Sequence, residues 1–213
     1  MKTVEKEKVP MSIKEHPTSD FLAIVVIENK KEVLTVGEIK HALRERGFGI
    51  LLALAAVPIC LPIPVPPGYT TVFSIPLFIF SLQMILGRRE PWLPEWIESK
   101  SVKRTMLEKI IAKADPWLKR IENRMQPRMT YISVHTWERV IGFFSFVFAL
   151  AIALPLPLTN FPPGCGILIM ALGLLNRDGL TILIGMIIGT IGIGFTMIVL
   201  VMLWMGLSMP SFY

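Results

Sequence analysis

Two proline-rich stretches interrupt apolar sequence and constrain the fold more than any other feature. The first holds five prolines within 58–67, and the second holds four within 155–163. Proline lacks a backbone N–H and fixes φ near −65°, so no continuous helix passes through either break. Each break reads Leu-Pro-x-Pro, then Pro-Pro-Gly, and leads into an apolar run that ends in Arg88 or Arg177. The chain therefore carries an internal repeat, and duplicated broken helices in two halves indicate a site in membrane transporters.

The charged residues are confined to a few segments. Of the 213 residues 53% are hydrophobic and 18% charged, and no charge falls in 47–87, 140–176 or 179–213. This composition is typical of a membrane protein. Each uncharged block exceeds the roughly 20 residues of one helical span, so the first two predict helical hairpins and the third a single helix. The predicted fold is an all-α integral membrane protein with two repeated Pro-broken hairpins, an amphipathic interfacial segment between them and a C-terminal transmembrane helix.

These patterns divide the chain into a polar N-terminal extension, 1–34, and a membrane domain, 35–207. Within that domain the predicted parts are repeat 1 (about 47–89), a surface segment (90–139), repeat 2 (about 140–179) and a final helix (180–207). In the surface segment, apolar residues recur every three or four positions from Val102 to Met125, the pattern of an amphipathic helix. In the final helix, Gly185, Gly189 and Gly192 are predicted packing positions.

Local signals place the helix boundaries. Thr35 and Glu38 have capping-box spacing and predict a helix over 36–46. The predicted arms of the two hairpins are Phe48–Val57, Thr70–Leu86, Val140–Ala153 and Cys165–Leu175. The first arm, ten residues long, rises only about 15 Å, half of a bilayer core. The sequence does not decide between a re-entrant tip and a kinked full span, although the broken or re-entrant form is favoured.

The positive charges predict the orientation. Nine Lys or Arg precede the first block, twelve lie between the first two blocks, and none follows Arg177. The positive-inside rule then predicts a multi-pass inner-membrane protein with a cytoplasmic N-terminus and a periplasmic C-terminus. The formal net charge is +6. The basic residues flank the apolar blocks, where anionic lipid headgroups account for them, so no nucleic-acid partner is expected.

The sequence offers few groups for chemistry. Cys60 and Cys165 lie beside the two breaks, but there is no Cys-x-x-Cys, and the three histidines are scattered in polar sequence. This argues against a zinc or redox site. No carboxylate pair or Ser/His/Asp set falls within an uncharged block, so neither an enzyme nor a metal or other cofactor is expected.

Several motifs, in their order and spacing, resemble a known family. They include Arg46-Gly47-Phe48-Gly49, Leu82–Arg88, Pro91-Trp92-Leu93-Pro94, Glu138–Gly142 and Gly173–Gly179, besides the breaks themselves. Together they cover about 35–200 and resemble the ExoD family of bacterial exopolysaccharide-synthesis proteins. Asn176 departs from that pattern, which has an acidic residue there. The resemblance implies an inner-membrane protein linked to exopolysaccharide production, and it carries over no catalytic residues.

The breaks are the predicted site. A helix is expected to begin after each Pro-Pro-Gly, at Tyr69–Thr71 and at Cys165–Gly166, and two helix N-termini with free N–H groups would form an anion site. Alternatively, the polar residues there only satisfy backbone groups. For Gln83 the alternatives are an interhelical hydrogen bond and a substrate contact, and for the arginines a headgroup anchor and phosphate recognition. The candidate residues are Gly68, Tyr69, Thr70, Thr71, Gln83, Arg88, Thr159, Asn160, Gly164, Cys165 and Arg177.

Repeats, breaks and resemblance together predict a transport or flipping component for an anionic, phosphate-bearing or lipid-linked substrate such as a polyprenyl phosphate. The alternative is a non-transporting accessory or scaffold subunit, which small size and the lack of membrane-embedded charge favour. A membrane enzyme comes third. The expected partners are the lipid bilayer and an anionic lipid, and a homo-oligomer stays open.

Overall fold

The computed structural model describes residues 33–43, 47–60, 68–109, 112, 116, 119, 134–154, 156 and 159–206. Predictions for the tail, for most of 110–133 and for residues 61–67, 155 and 157–158 of the breaks fall outside this part of the chain.

The described chain is almost entirely helical, which confirms the all-α class. Two short strands are the exception, and 104–109 forms a further helical turn after the second strand. The elements in chain order are β1 Val33–Thr35, α1 Val36–Leu43, α2 Gly47–Cys60, α3 Tyr69–Ile85, α4 Glu95–Glu98, β2 Ser101–Lys103, α5 Val134–Ala153, α6 Phe161–Leu175 and α7 Gly179–Trp204.

The chain segments before and after the first hairpin pack together as a small polar unit. The Thr35 amide donates to Glu38 Oε2 (2.9 Å) and the Glu38 amide donates to Thr35 Oγ1 (3.2 Å), which confirms the predicted capping box of α1. The Lys40 ammonium donates to the Glu98 carboxylate of α4, and this hydrogen bond lowers the pKa of Glu98 below its ordinary value. These contacts fix α1 against α4.

The predicted amphipathic helix does not begin at Val102, which lies instead in β2 and pairs antiparallel with Leu34 of β1. Leu34 is buried, whereas Val102 is half-buried. The pairing joins the chain before repeat 1 to the chain after it, and this long-range partner overrides the local helical pattern. Helix resumes at Arg104.

In the part of the chain that the structure describes, two helices are long and apolar enough to cross a membrane: α5 from Thr136, and α7, which confirms the predicted C-terminal helix. The α5 helix has 20 residues, about 30 Å, and α7 has 26 residues. Three shorter apolar helices, α2, α3 and α6, have 14, 17 and 15 residues. None of these three alone reaches the roughly 30 Å of a hydrocarbon core.

The arms of the two predicted hairpins pack across each other. The first arm of repeat 1, α2, packs on the second arm of repeat 2, α6, and likewise α3 packs on α5. The α7 helix covers α6. The shared core is mainly apolar, and its fully buried side chains include Phe48, Leu52, Leu77, Ile141, Phe148, Ile152, Ile167 and Met170.

Glycines let the helices approach closely. A Cβ on Gly166 of α6 would lie 2.7 Å from Gly189 Cα of α7, and one on Gly185 would lie 2.8 Å from Gly166 O. Such distances leave no room for a methyl group. The predicted packing role of Gly185 and Gly189 is confirmed, and Gly192 packs in the same way against Pro163 Cδ.

Three predicted helix ends need correction. The α2 helix runs past Val57 to Cys60, because Pro58 falls in the last turn and costs a single intrahelical donor there. The α5 helix begins at Val134 rather than Val140, in sequence that still carries charge. The α6 helix begins at Phe161 rather than Cys165, because Pro162 and Pro163 occupy the first turn, where a helix tolerates proline.

Candidate functional site

Hydrogen bonds join the residues that follow the first break to residues at and before the second. Asn160 Nδ2, just before α6, donates to Thr70 Oγ1 at the start of α3 (2.8 Å). Thr71 Oγ1 donates to the carbonyl of Ala153, the last residue of α5 (3.1 Å). We call Thr70, Thr71, Thr159 and Asn160 the break junction. It joins repeat 1 to repeat 2 through uncharged groups.

Thr159 completes the break junction. Its side chain is fully buried, and its hydroxyl lies 3.2 Å from the Leu156 carbonyl and 3.3 Å from Asn160 Oδ1. Asn160 is also buried. The polar side chains of the junction thus bond to one another and to backbone carbonyls, as the scaffold alternative requires.

The two helix N-termini at the junction are unequal. At α3, Gly68, the residue before the helix, has φ 87°, and the Val72 amide donates to the Gly68 carbonyl, so the amides of Tyr69, Thr70 and Thr71 lie outside the helical ladder. These three donors lie at the positive end of the helix dipole. The first turn of α3 therefore suits an anion.

The first turn of α6 is poorer in donors. Pro162 and Pro163 carry no N–H, and the Gly164 amide already donates to the Asn160 carbonyl. Phe161 alone supplies a free amide there. The anion site of two helix N-termini stays a prediction, in which the first turn of α3 offers more donors than that of α6.

The two glycines of the breaks also differ. Among the described residues, no atom lies within 4 Å of a Cβ built on Gly68. A Cβ on Gly164 would instead lie 2.7 Å from Ile59 Cγ2 of α2. Gly164 is therefore a packing residue between the repeats, while no described residue packs against Gly68.

The cysteines, which the sequence placed beside the two breaks, are brought together. Cys60 ends α2, Cys165 lies near the start of α6, and the Cys60 sulfur lies 3.7 Å from the position of a Cβ built on the neighbouring Gly164. Both are free thiols and half-buried. Spacing along the chain held no signal for this contact, apart from the position of each cysteine next to a break.

Gln83, at the far end of α3, does not face the junction. Its Nε2 donates to the Trp92 carbonyl (3.2 Å) and its Oε1 accepts from the Trp92 amide (2.6 Å). The hydrogen-bond partner of Gln83 is the backbone of the loop that follows repeat 1 rather than a neighbouring helix. Both the nitrogen and the oxygen of its side-chain amide bond to this loop.

Arg88 and Arg177 lie at this same far end. Arg88 is exposed and follows Gly87, which has φ 71°. Arg177 is half-buried and itself adopts φ 53°. The next residue, Asp178, caps α7 by accepting from the Leu180 amide (3.1 Å) and from Thr181 Oγ1 (3.0 Å). The arginines are thus separated from the break junction by the length of the hairpins.

A cavity of about 120 Å³ lies between α5 and α7, beside the second break. All its lining residues but Thr196 are apolar, and the Thr196 hydroxyl donates to the Gly192 carbonyl. They are Val147, Leu150, Ala151, Leu154, Ile193, Thr196, Met197 and Leu200. Within the described residues, no group of three or more His, Cys, Asp or Glu side chains could hold a metal ion.

Apolar helices of membrane length, packed around shorter ones, indicate an α-helical membrane protein. Within that class the chain belongs to the ExoD family: the family model described as "Exopolysaccharide synthesis, ExoD" matches residues 18–207. The match begins earlier in the chain than the motifs at 35–200. Family membership implies a role in exopolysaccharide synthesis.

Two relatives support the family. An uncharacterized protein of Synechocystis sp. is 32% identical over 161 residues, which is 75% of this chain and 76% of the relative. Protein ExoD of Rhizobium meliloti is 29% identical over 168 residues, 77% of this chain and 69% of the relative. No solved structure matches the chain.

Proposed function

We propose that this protein is an inner-membrane component of exopolysaccharide synthesis that transports or flips an anionic, phosphate-bearing or lipid-linked substrate. The observation that carries the proposal is the break junction, where Thr70 of repeat 1 bonds to Asn160 of repeat 2 among apolar helices. Polar groups at a discontinuity between two repeats are typical of transporter sites.

The groups around the junction support an anionic headgroup attached to a hydrocarbon chain. The free amides of α3 and its dipole favour a negative charge near Gly68. Beside them, the apolar cavity between α5 and α7 reaches Leu154, where the second break begins. A polyprenyl phosphate combines both chemistries, with its phosphate at the α3 terminus and its chain along α5 and α7.

The charge distribution supports the orientation in the membrane. With the positive-inside rule, the ends of the hairpins at Arg88 and Arg177 face the cytoplasm and the break junction faces the periplasm. Both repeats then enter from the same side. The crossed packing of α2 on α6 and of α3 on α5 fits two repeats related by an axis along the membrane normal.

Passage between the repeats requires the junction to open. The Thr70–Asn160 and Thr71–Ala153 hydrogen bonds both cross from one repeat to the other, so both break when the repeats separate. The described conformation is then the closed one. An anionic headgroup would replace these partners with its own oxygens as the junction opens.

Single substitutions at the junction test this function. Thr70→Ala and Asn160→Ala are expected to lower exopolysaccharide output about tenfold or more, the effect of one lost hydrogen bond to a charged group, while membrane abundance stays normal. The control is Ser81→Ala, which removes a buried hydroxyl that donates to Phe78 O on the same helix but far from the junction. Output in a complementation assay is measured beside a membrane immunoblot. If output falls only in proportion to abundance, the junction is a scaffold.

The second candidate is a non-transporting accessory or scaffold subunit, and the mutual satisfaction of Thr70, Thr159 and Asn160 favours it. Its lipid-facing or partner-facing surface would be α7, where Leu183, Ile187 and Ile191 are exposed. That face fits the bilayer or a second copy of the chain. Under this alternative, junction variants lose about 1–3 kcal/mol of stability through an unpaired buried group, and output follows protein level.

A further inference from the structure

The cysteines pair across the repeats. Cys60 is the last residue of α2 in repeat 1, and Cys165 lies in α6 of repeat 2. The Cys60 sulfur lies 3.7 Å from the position of a Cβ built on Gly164, the residue next to Cys165. The sequence argued against a redox site because no two cysteines are neighbours along the chain, and the packing of α2 on α6 removes that objection.

The two helices that carry the cysteines pack closely at this point. A Cβ on Gly164, the residue before Cys165, would lie 2.7 Å from Ile59 Cγ2 and 3.7 Å from Cys60 Sγ. A disulfide needs two cysteines whose Cα atoms lie within about 7 Å and whose side chains point at each other. Cysteines that lie on neighbouring turns of two tightly packed helices suit this geometry.

Both thiols are also accessible. Cys60 and Cys165 are free and half-buried, in contrast to the fully buried core residues packed below them. With the orientation proposed above, this end of the hairpins faces the periplasm, where thiols are oxidised and disulfides persist.

We propose that Cys60 and Cys165 are a redox pair that forms a disulfide between the two repeats. The oxidant is a disulfide-bearing thiol oxidase of the periplasm. One cysteine thiolate attacks the oxidant's disulfide, forming a mixed disulfide and releasing one oxidant thiolate. The second cysteine then attacks the chain's own sulfur in that mixed disulfide. One S–S bond forms in this chain, two electrons and two protons leave the pair, and the oxidant becomes a dithiol.

The disulfide would tie α2 to α6 directly beside the break junction. It adds a covalent link to the hydrogen bonds that already join the repeats at Thr70 and Thr71. The inference does not depend on the substrate, because bond formation is measured on the protein itself.

The test counts free thiols in the full chain in bacterial inner membranes. Membranes are treated with a copper–phenanthroline oxidant or with dithiothreitol, denatured, and labelled with a maleimide that carries a long polyethylene glycol chain. Gel shifts then report the number of free thiols. The variants are Cys60→Ser, Cys165→Ser, and a displaced pair in which Cys60→Ser is combined with Leu54→Cys, an exposed position further down α2.

The natural chain is expected to show two adducts when reduced and none when oxidised. Each single variant should keep its one adduct and the displaced pair its two adducts under both conditions. Two adducts on the oxidised natural chain would overturn the proposal, and so would oxidised single variants that lose their adduct by linking two copies. In cells without added oxidant, the natural chain should lack adducts only when the host has its periplasmic thiol oxidase, and adducts in both hosts would count against the pair.

Discussion

At the scale of single residues, most polar side chains of the described uncharged blocks bond to backbone or to one another. Asn160 and Thr70 lie 90 positions apart and bond directly. Ser74 and Ser81 instead donate to the carbonyls of Thr71 and Phe78 within α3. A buried hydroxyl in apolar surroundings gains stability from such a partner, and Ser145 is the exception, since its buried hydroxyl has none among the described residues.

Arg177 is the residue with the most unusual backbone. It has φ 53°, and its amide donates to the Leu174 carbonyl while the Asp178 amide donates to the Gly173 carbonyl, the hydrogen bonds of a Schellman motif. Repeat 1 ends with the same two bonds, made by Gly87 and Arg88. The equivalent turn therefore has a glycine in one repeat and an arginine in the other.

We expect Arg177→Gly to stabilise the protein by about 0.5–1 kcal/mol, because relief of about 1–2 kcal/mol of left-handed strain exceeds the added entropy of the unfolded chain. Arg177→Ala removes the same charge but keeps the strain, so it should give no gain. Thermal unfolding in detergent measures both. Equal midpoints for the Gly and Ala variants would show that Arg177 is not strained.

Residue-level predictions succeeded where the partners are close in sequence. The capping box of Thr35 and Glu38 depends on a spacing of three residues, which a sequence displays directly. The proximity of Cys60 to Cys165 depends on the packing of two helices, and no local pattern encodes it. The neighbouring helix predicted as the hydrogen-bond partner of Gln83 was also wrong, because Gln83 bonds to the backbone of Trp92.

At the scale of elements, the apolar blocks predicted the helices, but the prolines decided their ends. Pro162 and Pro163 were interpreted as part of the break, whereas they form the first turn of α6. The preference of proline for a first helical turn was a signal available in the sequence. The consequence is functional, because these prolines remove the donors of an anion site at α6.

The interface of α6 and α7 depends on glycine. We expect Gly166→Ala to destabilise the protein by about 1–3 kcal/mol, since its methyl group would meet Gly189 Cα at 2.7 Å and backbone cannot move aside as a side chain can. The matched control is Gly194→Ala on α7, where nothing lies within 4 Å of the new methyl group.

That control should gain up to about 1 kcal/mol from helix propensity in the same thermal unfolding experiment. A Gly166→Ala protein as stable as the natural one would mean that α6 and α7 do not pack through their glycines.

At the scale of the whole molecule, charge bias predicts which end faces which compartment. We expect single cysteines introduced at Lys100 or Lys103, in a background with Cys60→Ser and Cys165→Ser, to react with an impermeant maleimide from the cytoplasmic side only. Labelling is compared between sealed spheroplasts, which expose the periplasmic side, and inverted vesicles, which expose the cytoplasmic side. Labelling from the periplasm alone would reverse the proposed orientation and place the junction at the cytoplasmic face.

The central claim is that the two repeats move an anionic lipid-linked substrate across the membrane at their break junction. The most direct measurement reconstitutes the purified protein in liposomes that contain a fluorescent polyprenyl phosphate and follows its quenching by an impermeant reductant. With the natural protein, quenching is expected to proceed beyond the outer-leaflet fraction, and Asn160→Ala should slow that additional phase while Ser81→Ala leaves it unchanged. Quenching that stops at the outer-leaflet level of protein-free liposomes would contradict the claim.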